Sequence, residues 1–232
     1  MKIEKTKFTN FLKKVKLDGA DQIDEVLFDF TTQGLKIMVM NKTSTCRIDA
    51  MFKSSAFSEY EAIGKVGIQE LHMLIRLCET FDKEVDIKTS ENLLTIKSGS
   101  RKIEFELLDI QFISEVAEPK VMEFDESITV NSKVLNKFIK DVELNKEYII
   151  NLETTEKKLK ISNTGKYKFT EIIEAKEAKG GVNTSFGLPL TNALRALTGE
   201  LQLNLKSQYP LRVVEKTEDS IISIIVAPRI EN

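Results

Sequence analysis

Apolar residues recur at intervals of three and four in four short stretches of the chain, and between those stretches they tend to alternate with polar ones. TKFTNFLKKVK carries Phe8, Phe11, Leu12 and Val15 on one stripe, and IQELHMLIRLCE carries Ile68, Leu71, Ile75 and Cys78. NSKVLNKFIKDV offers Val134, Leu135, Phe138, Ile139 and Val142; PLTNALRALTG offers Leu190, Ala193, Leu194 and Leu197, with Gly199 as a stop. Such spacing predicts amphipathic helices that bury one face. Each follows a short apolar strand and precedes strand-like runs: EVLFDFTTQGLKIMVMN, EVDIKTSENLLTIKS, YIINLETTEKKLKISN and ELQLNLKSQYPLRVVEK. The turns TTQG, TSEN and TTEKK punctuate them.

The helix-then-hairpin unit therefore recurs four times, with helix centres at Phe11, Ile75, Phe138 and Leu194. Recurrence of order, length and turn chemistry indicates duplication. A unit of this kind buries one helix face on one sheet face, a two-layer α+β arrangement, and two units make a domain. The segment LLDIQFISEVAEPKVMEF, with acids, a proline and scattered apolar residues, reads as the boundary. The expected division is an N-terminal domain over 1–108, a connector over 109–121 and a C-terminal domain over 122–232. The chain ends in SIISIIVAPRIEN, and residues 220–226 are expected to form the last strand, stopped by Ala227 and Pro228.

Charge adds a second pattern. The 232 residues carry a formal net charge of −2, but the cations concentrate on the helices. Lys7, Lys13, Lys14 and Lys16 lie on the first helix without an acid, Lys133, Lys137 and Lys140 on the third, and Arg195 on the fourth. The second helix mixes Glu70 and Glu79 with Arg76. Basic helix faces on one side of a common sheet suit sequence-independent contact with phosphates. No aromatic ladder for stacking single-stranded bases is present, so duplex is the better target.

Catalytic chemistry is sparse. His72 is the sole histidine, and Cys46 and Cys78, the only cysteines, fall in apolar surroundings as free thiols of a reducing compartment. Neither a multi-histidine metal site nor a glycine-rich phosphate loop is present. Acid pairs such as Glu25 with Asp29, or Asp82 with Glu84, are frequent in a chain with 36 acids. No catalytic residue, metal or cofactor is assigned. The N-terminus MKIEKTKFTN has no apolar signal segment, and the expected location is cytoplasmic, or nuclear in a eukaryote.

The stretches FDFTTQGLKIMVMN, SSAFSEYE, VGIQELHMLIRL, SFGLPLTNALRAL, YPLRVVEK and IVAPRIEN occur in an order that resembles the sliding clamps of the proliferating cell nuclear antigen family, in archaeal style. The resemblance implies the clamp fold and a non-catalytic ring of three two-domain subunits around duplex DNA. In such a ring Lys7, Lys13, Lys14, Lys133, Lys137, Lys140 and Arg195 would face the DNA, with Lys16 and Arg76 further candidates. It implies subunit contacts through edge strands near 101–107 and 166–173, with Ile103, Phe105, Leu107, Tyr167, Phe169 and Ile172. It also implies peptide docking by Met40, Ile110, Phe112, Ile113, Pro210, Ile225, Val226, Ala227 and Pro228. DNA polymerase, clamp loader, flap nuclease and ligase would be the partners. Thr45 and Arg47 stand where the family commonly has small apolar and aliphatic residues, and the connector is short. The competing readings are one subunit of a mixed ring, a duplex-binding module that forms no ring, and a Mg²⁺-dependent nuclease.

Overall fold

A three-residue strand, β1 (Lys2–Glu4), leads into α1 (Lys5–Lys16). There follow β2 (Val26–Thr31), β3 (Gly34–Met40), β4 (Cys46–Lys53), β5 (Gly64–Ile68), α2 (Leu71–Glu79), β6 (Glu84–Ser90), β7 (Leu93–Ser98) and β8 (Arg101–Glu106). The same order then repeats, as β9 (Glu126–Asn131), α3 (Ser132–Asn145), β10 (Ile150–Thr155), β11 (Lys158–Asn163), β12 (Thr170–Glu174), β13 (Asn183–Phe186), α4 (Leu188–Arg195), β14 (Glu200–Leu205), β15 (Leu211–Lys216) and β16 (Ser220–Val226). This computed structural model describes residues 1–17, 19–90, 92–146 and 148–230, without the side chain of Ala20. Glu91 of the expected TSEN turn, and the terminal Glu231 and Asn232, lie outside the described residues.

The chain divides into two compact units. The first comprises Met1–Lys42, Ile48–Ala117 and Thr217–Ile222; the second comprises Thr43–Arg47, Glu118–Lys216 and Ser223–Asn232. In the first, strands run in the order β1-β6-β7-β8 in one sheet and β5-β2-β3-β4 in another. The second repeats this as β12-β11-β10-β13 and β16-β15-β14-β9. Hairpin registers are antiparallel, with Thr31 opposite Gly34 and Thr155 opposite Lys158.

Helical stripes supply one side of each core. Phe8, Phe11, Leu12 and Val15 of α1 are buried, and Phe11 stacks on Phe52 of β4 with ring centroids 4.6 Å apart. Leu135, Phe138, Ile139 and Val142 of α3 play the same part in the second unit. Burial of aromatic and branched side chains on this scale is the main driving force for folding. Four positions depart from the expected stripes, and one of them, Leu197, is buried past the end of α4 at Arg195. Ile68 is buried at the end of β5, because α2 begins only at Leu71, and Leu74 joins the buried face of α2. Val134 is half-buried at the margin of its helix.

Packing imposes the glycine at position 67. A Cβ on Gly67 in β5 would collide with the carbonyl of Leu108 and come 2.9 Å from Cδ1 of Ile113. The Leu108 N–H donates back to the Gly67 carbonyl at 3.0 Å, so the start of the connector is held against β5.

Candidate nucleic-acid interface and docking surfaces

Within the first unit α1 packs beside α2, and within the second α3 packs beside α4. These neighbours decide which helix cations are free. Lys7 reaches Asp219 at 2.9 Å, and that carboxylate holds the Lys7 ammonium above the usual lysine range. Lys13 reaches Glu79 of α2 at 2.5 Å, and Arg195 of α4 pairs with Glu143 of α3. Lys14 and Lys16 are half-buried and also engaged. The expected unopposed cationic face on α1 is thus corrected: acids remote in sequence meet its lysines. Asp219 lies just before β16, and no periodicity within α1 could reveal it.

Lys133, Lys137 and Lys140 differ. All three are exposed, and their ammonium groups carry no ion pair among the described residues. Spacings of four and three place them on one helix stripe. Asn131 caps α3, its side-chain oxygen accepting from Lys133 N at 3.0 Å. The helix continues to Asn145, beyond the expected stretch ending at Val142, and holds Asp141 and Glu143. Its N-terminal half is cationic and its C-terminal end acidic. Because a helix N-terminus carries a partial positive charge of its own, the cationic half is the more electropositive end of α3.

The connector is less plain than its composition implied. Ile110–Phe112 forms a single 3₁₀ turn capped by Asp109, which accepts from Gln111 N at 3.0 Å. The turn leaves Ile110 48% and Phe112 69% exposed, while Ile113 turns inward and is buried. A pair between Lys65 and Glu115 ties the following residues to β5. Met40, at the end of β3, is exposed. In the second unit Pro210 is half-buried before β15, Ile225, Ala227 and Pro228 are half-buried, and Val226 is buried. Ile113 and Val226 are therefore core residues here, and the other expected docking residues keep accessible surface. Past β16 the tail is held by its main chain. Ala227 N donates to the Thr45 carbonyl at 2.8 Å, and Arg229 N to the Ser185 carbonyl at 2.7 Å.

β8 and β12 each end a sheet, so each has a free edge. Ile103 and Leu107 are half-buried and Phe105 is buried. The strand expected over 166–173 is shorter, at Thr170–Glu174, because the chain bends at Gly165, Lys166 and Tyr167. Phe169 still keeps step with Asn163: its N–H donates to Asn163 Oδ1 at 2.6 Å, and Asn163 Nδ2 holds the Tyr167 carbonyl at 3.0 Å. Tyr167 and Ile172 are about as exposed as each other, at 60% and 59%, and Leu144 at the end of α3 is 82% exposed. Leu144 was not foreseen as an exposed apolar residue; it falls between the buried Val142 and the helix end, off the stripe.

Other chemistry is modest. His72 Nδ1 lies 2.7 Å from Asp24 Oδ1 at the start of α2, a partly exposed pair. Cys46 and Cys78 are buried free thiols, and burial pushes the Cys78 thiol up to about 12. Among the described residues no group of three acids, histidines or cysteines is placed to hold a metal ion, and no helix is long and apolar enough to cross a membrane.

No family model matches the chain. It is similar to the DNA polymerase sliding clamp of Nitrosopumilus maritimus, 23% identical over 246 residues that cover 98% of each chain. DNA polymerase sliding clamp 1 of Aeropyrum pernix is 24% identical over 227 residues, 89% of this chain and 91% of the relative. Among solved structures, A. fulgidus PCNA bound to the C-terminal region of FEN-1 superposes with a TM-score of 0.85 at 16% identity, over 100% of this chain and 98% of that one. A PCNA2–PCNA3 complex from Sulfolobus tokodaii gives 0.82 at 22% identity, over 100% of both.

Proposed function

This chain belongs to the family of DNA polymerase sliding clamps, in its archaeal form, and from that premise we propose that it is a non-catalytic processivity factor that closes into a ring of three around duplex DNA. The single observation that carries the proposal is the stripe of Lys133, Lys137 and Lys140 on α3, exposed and without ion pairs among the described residues. Lysines on long stems make mobile point contacts with phosphates. Such contacts hold a duplex without reading its sequence, and encirclement supplies the retention that they lack. Lys7, Lys13 and Arg195 would contribute less, since each must share its charge with an acid. A polymerase tethered to the ring meets the DNA end at a raised effective concentration.

The exposed residues Met40, Ile110 and Phe112 of the first unit, and the half-buried Pro210, Ile225, Ala227 and Pro228 of the second, are the candidates for docking short hydrophobic peptides. The A. fulgidus neighbour is solved with the C-terminal region of FEN-1, which makes a flap nuclease the first partner to try. Clamp loader and ligase belong to the same proposal.

Retention on closed circular duplex with loss on the same DNA after linearisation is the expected result, because only a ring slides off ends. Equal retention on both forms would instead identify a duplex-binding module that does not encircle. One neighbour is a complex of two different clamp chains, which favours a second reading, a subunit of a mixed ring. Light scattering on the chain alone separates the two: a monomer of 26.4 kDa at high concentration refutes a self-sufficient ring.

A further inference from the structure

We infer that the second-unit part of the docking surface selects for a carboxylate: Arg212 is oriented to receive an acidic side chain of a docked peptide whose apolar neighbour covers Ile225. This rests on the reading of that surface as a peptide site and adds to it the chemistry that selects the peptide.

Strand register fixes the face. Arg212 of β15 stands opposite Asn204 of β14, and Val214 opposite Gln202. The alternate residues of β15, Leu211, Val213 and Glu215, are buried, so the even-numbered ones point away from the core. Arg212 Nε donates to Ser223 Oγ at 3.0 Å. Ser223 therefore lies on the outer face, and so does Ile225 two residues on, while Ile224 and Val226 are buried. On the other side of β16, the bond from Ala227 N to the Thr45 carbonyl sets Arg47 opposite Ile225 in antiparallel register. A half-buried isoleucine is thus bordered by an arginine on each neighbouring strand.

The two arginines differ. Arg47 is engaged within the protein, as is Asp49 two residues further along β4. Arg212 is exposed and has no ion pair among the described residues. Its Nε is held by a buried serine, which fixes the guanidinium plane and leaves the edge formed by the two Nη groups to a ligand. That edge matches a carboxylate through two parallel hydrogen bonds. A side chain already oriented also loses less freedom on binding.

On this face acids are few. Of the residues that β14, β15 and β16 place there in the second unit, Glu200 alone is acidic, and Asn131 Nδ2 donates to it at 2.8 Å. Arg229, exposed past Pro228, adds a further cation to the tail. A wholly apolar peptide laid over Ile225 would strip water from Arg212 and return no partner, which is costly. An acidic residue next to an aliphatic one satisfies both side chains. A sugar–phosphate backbone has no apolar group to cover Ile225 and Ala227, so the occupant is a peptide.

Twin peptides test this. Fluorescein-labelled hydrophobic peptides carrying Glu at one position, walked along the peptide, are each compared with the Gln twin by anisotropy on the full chain. At one position the Glu peptide should bind about tenfold tighter, and the advantage should shrink as salt rises. Arg212→Gln, with folding checked by circular dichroism, should weaken the Glu peptide to the level of its twin and leave the Gln peptide no weaker. Ser223→Ala, which releases the guanidinium, should remove part of the advantage. Twins that bind alike at every position, or an advantage that survives Arg212→Gln, would overturn the inference and leave an apolar docking site standing. Binding of neither twin would overturn the inference and the docking reading together, while retention on circular duplex still decides the ring. A duplex oligonucleotide that displaces the Glu peptide would mark the face as a phosphate site and overturn the peptide occupant.

Discussion

Replacing Lys137 by Gln removes the middle charge of the α3 stripe and little else. The side chain is exposed and takes part in no ion pair among the described residues, and Gln has nearly the helix propensity of Lys. Stability should therefore change by no more than about 0.5 kcal/mol. DNA affinity should change much more. Each neutralised phosphate contributes a slope of about 0.9 to the fall of log affinity with log salt. Losing one contact per subunit should flatten that slope by about 2.7 in a ring of three, and near 0.1 M salt each lost contact costs about eightfold in affinity. Fluorescence anisotropy of a labelled duplex across a salt series reads both quantities. Lys7→Gln is the informative control, because Asp219 already neutralises Lys7 at 2.9 Å, and its slope should move by less. An unchanged slope for Lys137→Gln, with the full reduction for Lys7→Gln, would refute the assignment of α3 as the main DNA contact and move it to α1.

Gly67→Ala forces a Cβ into the Leu108 carbonyl and against Ile113; a loss of about 1–3 kcal/mol in urea unfolding is expected. Asn131→Ala removes the cap of α3 and should lower stability by about 1 kcal/mol, with unchanged stability as the refuting result. Cys78, with its thiol raised to about 12 by burial and next by the charge of Glu79, should resist alkylation at pH 8 until the chain unfolds; rapid labelling of the folded protein would contradict this. The Asp24 carboxyl is raised by burial, but Gln22, His72 and Lys42 outweigh that and hold it below its usual 3.8. A carboxyl lowered on folding stabilises above its unfolded value and loses that contribution as pH falls through the folded one. Asp24→Asn should therefore be less stable than the parent near neutrality and converge on it in acid; a gap independent of pH would refute the assignment.

The architecture was legible because helix and strand periods differ and the chain repeats them. Phe8, Phe11, Leu12 and Val15 announce α1 within eight residues, and Leu135 to Val142 announce α3 in the same way. What local pattern cannot carry is the identity of remote neighbours. Lys7 and Asp219 meet across 212 positions of sequence, so a face that reads as unopposed cation is partly neutralised once folded. The expected stretch of α3 ended at Val142, the last residue of its apolar stripe, and the helix runs on through Glu143, Leu144 and Asn145, which carry no further buried position. Ile68 fits a helical spacing with Leu71 and Ile75, yet strand pairing with Val26 claims it. The alternating apolar residues Tyr167 and Phe169 suggested a longer strand, and the bend beginning at Gly165 shortens it.

The two main-chain hydrogen bonds that hold the tail, from Ala227 to Thr45 and from Arg229 to Ser185, make no demand on side-chain identity. Pro228, which has no N–H to donate, sits between the two donors. Location and chemistry are thereby uncoupled in this segment: substitutions along it can change the surface it presents while its path stays the same. The backbone fixes where this stretch lies, and the side chains are left to set what surface is found there.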